Sequence, residues 1–135
     1  MGHQEVPRGA IRDPKHIARL RDFTKLRWGN ITPTDMDCFI EFRDAAYVGV
    51  EATTRGKLIG GQRLAFERAF RDWHKMGKPS LLLVAIQRPD EPEPVDYANL
   101  TVGECFYNDG WCNRFDGLPV KQSIDEFLSE NKIHT

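Results

Sequence analysis

Long apolar runs are missing from this chain of 135 residues. None approaches the roughly 20 residues that a membrane-spanning helix requires, so no spanning segment is expected. The first dozen residues, with Glu5, Pro7, Arg8 and Arg12, lack the hydrophobic region of a secretory signal, and a cytoplasmic protein is the expectation. Cysteine is scarce. Cys38, Cys105 and Cys112 are odd in number and widely separated, which suits reduced thiols better than a disulfide framework. No Cys-x-x-Cys pair occurs, and the four histidines, at 3, 16, 74 and 134, show no ligand spacing, which argues against zinc. Neither sign of charge is in excess. Lys and Arg number 19 against 20 Asp and Glu, a net charge of −1, which does not suit a protein that coats nucleic acid indiscriminately but leaves room for one basic face. A Gly-x-Ser-x-Gly elbow is absent. Gly77-Lys78-Pro79-Ser80 lacks both the upstream glycine and an amide donor that a phosphate-binding loop needs. Internal repeats and low-complexity tracts are missing too.

What is present describes one globular domain. A hydrophobic share of 40 % with mixed charges fits a single core, and the length does not comfortably hold two. Residues 1–13 read as a polar lead-in and 14–135 as the domain. Asp13-Pro14 is an N-cap followed by proline at the first helical position, and Ile17, Leu20, Phe23 and Leu26 follow at near-helical spacing, so a helix is expected over about 14 to 27. Its polar side carries Lys15, Arg19, Arg21, Lys25 and Arg27. Taken alone, that is an ordinary solvated helix face.

Two strands, over 35 to 42 and 46 to 54, are joined by a turn at Arg43-Asp44. Alternation puts Asp35, Asp37, Phe39 and Glu41 on one face and Tyr47, Gly49, Glu51 and Thr53 on one face of the partner strand. After Gly60-Gly61 a helix from about 62 to 76 carries the stripe Phe66, Ala69, Phe70, Trp73 and closes at Gly77 and Pro79. The nearly continuous apolar run over 80 to 87 predicts a central strand covered on both faces. Three prolines mark 88 to 95 as a loop, Asn108-Asp109-Gly110 predicts a hairpin between strands over 97 to 107 and 111 to 115, and Val120, Ile124, Phe127 and Leu128 give a last helix over 119 to 130. The expected order is α-β-β-α-β-β-β-α. Glu41 and Glu67 read as surface charges, and Trp28, Trp73 and Trp111 are candidates for base stacking, with Trp73 better placed in the core.

Asp37 and Glu51, facing each other across the hairpin, are the residues with chemistry to offer. Cutting a phosphodiester needs an acidified water, a stabilised leaving oxygen and neutralised phosphate charge, all of which magnesium held by a couple of carboxylates supplies. Acidic pairs at strand ends also serve as turn caps or edge charges.

The Thr-Asp-Met-Asp strand start, the hairpin, Glu51 and the Gly-Gln-Arg-Leu-Ala-Phe-Glu-Arg helix resemble the PD-(D/E)xK, restriction-endonuclease-like nucleases in a small phage-type version. The resemblance covers residues 14 to 87 and extends more loosely to the aromatic hairpin and final helix. It implies an αβββαβ core in an α/β fold, with a mixed sheet flanked by helices, dependence on magnesium or manganese, and nucleic acid as substrate, DNA being the expected one. A phage-encoded protein would act in the host cytoplasm. By the same resemblance the strand aspartate falls on Asp37, or on Asp35, and the glutamate on Glu51, the two metal ligands. Gln62 takes the place of a site glutamine, and Lys15, Arg19, Lys25 and Arg63 are the residues to contact the phosphate backbone. The motif lysine falls on Thr53, which carries no charge. Lys57, or less directly Arg55, is the replacement in an active version. Otherwise the fold serves as a non-catalytic binder of a protein or nucleic-acid partner, or as a structural accessory. A homodimer would bring a second site for the second strand.

Overall fold

The computed structural model describes Asp22 and residues 24–135. Residues 1–13, Lys15, Arg19 and most of the helix expected over 14 to 27 lie outside them. The chain divides into two units, Met1–Pro33 and Thr34–Thr135. In the first, Thr24 to Arg27 are turn and irregular backbone, so the expected helix does not extend to Arg27. Asp22 is the physical reason: its carboxylate accepts the Thr24 N–H at 2.9 Å and the Thr24 hydroxyl at 2.6 Å, a local turn that competes with helical bonding. Trp28 and Ile31 then exchange both backbone bonds at 2.9 Å. Lys25 is exposed.

The second unit follows the expected order from residue 35 onward. Strand β1 (Cys38–Glu41), strand β2 (Tyr47–Thr53), helix α1 (Gly60–Lys75), strands β3 (Ser80–Ile86), β4 (Thr101–Tyr107) and β5 (Gly110–Cys112), and helix α2 (Val120–Glu130) succeed one another. The strand expected from residue 97 starts only at Thr101, because Tyr97–Asn99 form a 3-10 turn in which the Leu100 N–H bonds the Tyr97 carbonyl, and the strand expected to residue 115 stops at Cys112. The five strands form one mixed sheet in the order β1-β2-β3-β4-β5. Only β2 and β3 are parallel, and α1 supplies the crossover that parallel neighbours need. Among the described residues two strands precede that crossover, where the αβββαβ pattern has three, and no helix is long and apolar enough to cross a membrane.

Local chemistry accounts for the connections. Arg43 and Asp44 both take positive φ, 49° and 66°, the mirror-image turn whose twist suits a hairpin. Gly77, at φ 93°, ends α1, where its N–H returns to the His74 carbonyl at 2.9 Å. Asn108 begins the β4–β5 turn at φ 59°, and its Oδ1 accepts the Ser80 N–H at 3.1 Å, lengthening the β3–β4 pairing by one residue.

Alternation along β3 divides the core. Leu81, Leu83 and Ala85 face α2 with Val48, Val50, Val102, Cys105, Phe115 and Phe127, while Leu82 and Val84 face α1 with Phe66, Phe70 and Phe106. Each fully buried Leu or Phe contributes about 1.5–3 kcal/mol, so this central strand anchors both layers. Helix α1 comes so close to β2 that a Cβ at Gly49 would lie 2.6 Å from the Phe70 ring. Trp73 packs at the edge of this layer against Phe39, Tyr47 and Phe70. No buried side-chain nitrogen or oxygen among the described residues lacks a partner.

Candidate functional site

Asp37 and Glu51 meet where the β1–β2 ladder stops. Continuing the register of Cys38 with Val50 would set Met36 opposite Ala52. The Ala52 N–H goes instead to Asp37 Oδ2 at 2.9 Å, so a side chain takes the place of a backbone acceptor and the strand begins at Cys38. Asp37, expected within the strand, therefore stands at the mouth of β1. It is held there by side-chain bonds: its own N–H donates to Glu51 Oε2 at 3.0 Å, and the Tyr97 hydroxyl donates to Oδ2 at 3.1 Å. Burial, together with the charge of Asp37, pushes the Tyr97 hydroxyl up to about 12, so it remains a donor throughout the neutral range.

Glu51 is 7 % exposed, the one buried carboxylate among the described residues. Both oxygens are used, since Gln62 Nε2 donates to Oε1 at 3.0 Å from the first turn of α1. Burial raises the Glu51 pKa, and the charges of Asp37 and Asp35 add to the rise, while the bonds from Asp37 N–H and Gln62 oppose it. Within the described residues no Lys or Arg forms an ion pair with Asp35, Asp37 or Glu51. Among the described residues, negative charge is thus gathered without a side-chain counter-ion. No set of three or more His, Cys, Asp or Glu is grouped to hold a metal among these residues. Asp37 and Glu51 remain a pair, and a pair with open water positions is what magnesium commonly takes. The donor chemistry, carboxylate oxygens with no cationic side chain paired to them among the described residues, fits such an ion.

Thr53 has an occupation that the sequence did not disclose. Its Oγ1 accepts the N–H of Gly56 at 2.8 Å and of Lys57 at 3.1 Å, closing the loop that follows β2. The Lys57 side chain is exposed. Because Gly56 is buried, removing that acceptor strands a donor, which commonly costs about 1–3 kcal/mol. Thr53→Val is expected to lose stability on that scale in urea unfolding while Thr53→Ser keeps it; equal midpoints for the two would remove the hydroxyl from this role.

Arg63, expected at the phosphate backbone, has partners within the chain. Its guanidinium bonds Glu104 Oε1 at 2.5 Å and the Leu58 carbonyl at 3.2 Å, and lies 3.7 Å from the centre of the Trp111 ring. The same Glu104 oxygen accepts the Leu58 N–H at 3.1 Å. Trp111 donates in turn to Glu67 at 3.1 Å, so Glu67 is a partner of the aromatic hairpin rather than a free surface charge. Nothing in the sequence marks Tyr97 or Glu104, because neither sits in a motif or near its partner in the chain. Compared with known proteins, the chain matches no family model, no curated protein and no solved structure.

Proposed function

We propose that this protein is a metal-dependent, nuclease-like protein of PD-(D/E)xK type that acts on DNA. The observation that carries the reading is the buried Glu51 beside Asp37, ordered by Gln62 and Tyr97, with no cationic side chain paired to either carboxylate among the described residues. Asp37 and Glu51 would hold magnesium or manganese. The bound ion supplies Lewis acidity, activating water and offsetting phosphate charge. The chain's own residues do the positioning: Gln62 and the Asp37 N–H orient Glu51, the Ala52 N–H and Tyr97 orient Asp37, and the Thr53 loop presents Lys57. An ordered surrounding shell of this kind is what sets the aim of ligating carboxylates.

The test uses purified protein with plasmid, linear and single-stranded DNA and with RNA, in magnesium, in manganese and in chelator. Cleavage that needs metal and disappears in Glu51→Ala is the expected result. A second reading, a non-catalytic binder of a protein or nucleic-acid partner that keeps this fold, draws on the commitment of Thr53 to its loop and of Arg63 to Glu104. Under that reading the natural chain does not cut, and Thr53→Lys, compared at equal folded fraction because it loses the loop bonds, restores cutting. Neither protein cutting, with no salt-sensitive DNA binding, overturns the nuclease proposal.

A further inference from the structure

Cys105 and Cys112 stand directly opposite each other on β4 and β5. Their Sγ atoms are 3.4 Å apart, and Cys105 Sγ is 3.5 Å from the Cys112 carbonyl oxygen. In the sequence these residues looked like unrelated thiols; the hairpin at Asn108-Asp109 brings them together. Opposed residues of an antiparallel pair have Cα atoms about 4.5–5.5 Å apart. That separation falls inside the window of about 4.4–6.8 Å that a disulfide accepts. Access is unequal: Cys105 is fully buried and Cys112 half-buried. Cys38 lies on β1, at the opposite edge of the sheet order, and has no such partner.

We infer that Cys105 and Cys112 form a dithiol oxidation site that closes to a cross-strand disulfide on reaction with a low-molecular-weight disulfide such as oxidised glutathione, Cys112 being the entry thiol. Cys112 loses its proton to solvent and its thiolate attacks one sulfur of the glutathione disulfide, so that a mixed disulfide forms and one glutathione thiolate leaves. Cys105 then gives up its proton and attacks Cys112 Sγ. The Cys105–Cys112 bond forms, the mixed disulfide breaks, and the second glutathione thiolate leaves. In total two protein thiols are oxidised and one small disulfide is reduced to two thiols. Burial raises the Cys105 pKa, which disfavours it as the first nucleophile, but its own step is intramolecular across 3.4 Å. The bond would fasten β5, a three-residue strand at the sheet edge, at the position next to the Trp111 that covers Arg63.

The experiment is native full-length protein incubated with oxidised glutathione, sampled over time, acid-quenched, alkylated and mapped by mass spectrometry. A transient glutathione adduct on Cys112, giving way to linked peptides carrying Cys105 and Cys112, is the expected course, whatever adduct Cys38 carries. Cys105→Ser is expected to stop at a stable adduct on Cys112, and Cys112→Ser to leave Cys105 unmodified. Should either variant fold poorly, the wild-type time course decides alone. A stable wild-type adduct that never closes, a linkage through Cys38 or between two copies, or no reaction at Cys112 under conditions that oxidise the chain in urea would overturn the inference.

Discussion

Gly103→Ala is expected to lower the unfolding midpoint by about 10 °C or more, a loss of about 2–3 kcal/mol, because the added methyl has nowhere to go. A Cβ there would lie 2.4 Å from the Gly56 carbonyl oxygen, 2.9 Å from its Cα and 3.0 Å from its carbonyl carbon. These are backbone atoms, which cannot swing aside as the end of a side chain can. Gly56 is itself confined: it takes φ 70°, and its own Cβ position is 2.7 Å from Ile86 Cγ1. The Gly56 carbonyl also accepts the Glu104 N–H at 3.2 Å, so relief at Gly103 would have to break the contact that seats the loop on β4. That loop carries Lys57 and Leu58, and the Leu58–Glu104–Arg63 cluster at the start of α1 would loosen with it. Gly61→Ala is the control, since nothing lies within 4 Å of its Cβ position and alanine suits a helix better than glycine. Its midpoint is expected to hold or rise. Chemical or thermal unfolding that finds the two variants alike would show that the 54–58 loop is not wedged against β4.

Glu51→Gln is expected to move stability and activity in opposite directions. The folded Glu51 carboxyl, raised by burial first and by Asp37 and Asp35 next, keeps its proton to higher pH than the unfolded chain does. Its contribution to stability is therefore complete below the ordinary glutamate value of 4.5 and is lost as pH rises through the folded value. At neutral pH the buried charge costs stability. Glutamine removes that cost and keeps both bonds, accepting the Asp37 N–H and donating to Gln62 once the Gln62 amide turns over. The variant should melt a few degrees higher than wild type at pH 7, with the gain fading in acid. Under the proposed function the same change removes a carboxylate ligand, so magnesium no longer raises the melting temperature, and cleavage falls by about 10²-fold or more, the scale of losing one electrostatic stabiliser. A variant less stable than wild type at pH 7 would refute the charge cost. One that cleaves as well as wild type would remove Glu51 from the chemistry.

Much of the second unit was legible because its signals are local. The run from Ser80 predicted a strand covered on both faces, and β3 is that strand, since nearest-neighbour alternation sends Leu82 one way and Leu83 the other. Phe66, Phe70 and Trp73 predicted the buried stripe of α1, and Arg43-Asp44 and Asn108-Asp109 the two hairpins. The juxtaposition of Asp37 and Glu51 also followed from a period of two across a hairpin. The expected helix through Arg27 did not reach that far because Asp22 and Thr24 close a turn of their own, a choice that helical spacing alone does not register. Thr53 shows what a motif leaves out. Measured against a motif it was a lysine lost; in the fold its hydroxyl accepts two amides that otherwise have no acceptor in that loop.

By itself, then, the sequence determined the order of strands and helices from residue 35 onward and the two hairpin turns, because apolar periodicity and turn chemistry act over a few residues. It also set two carboxylates, Asp37 and Glu51, opposite each other across a hairpin. Only the tertiary structure decided what those side chains are bonded to. Tyr97 reaches Asp37 across 60 residues of chain, Glu104 reaches Arg63 across 41, and Cys105 meets Cys112 only when two strands pair. Such contacts are set by sheet order and packing, which bring together groups that carry no mark of each other in the linear chain.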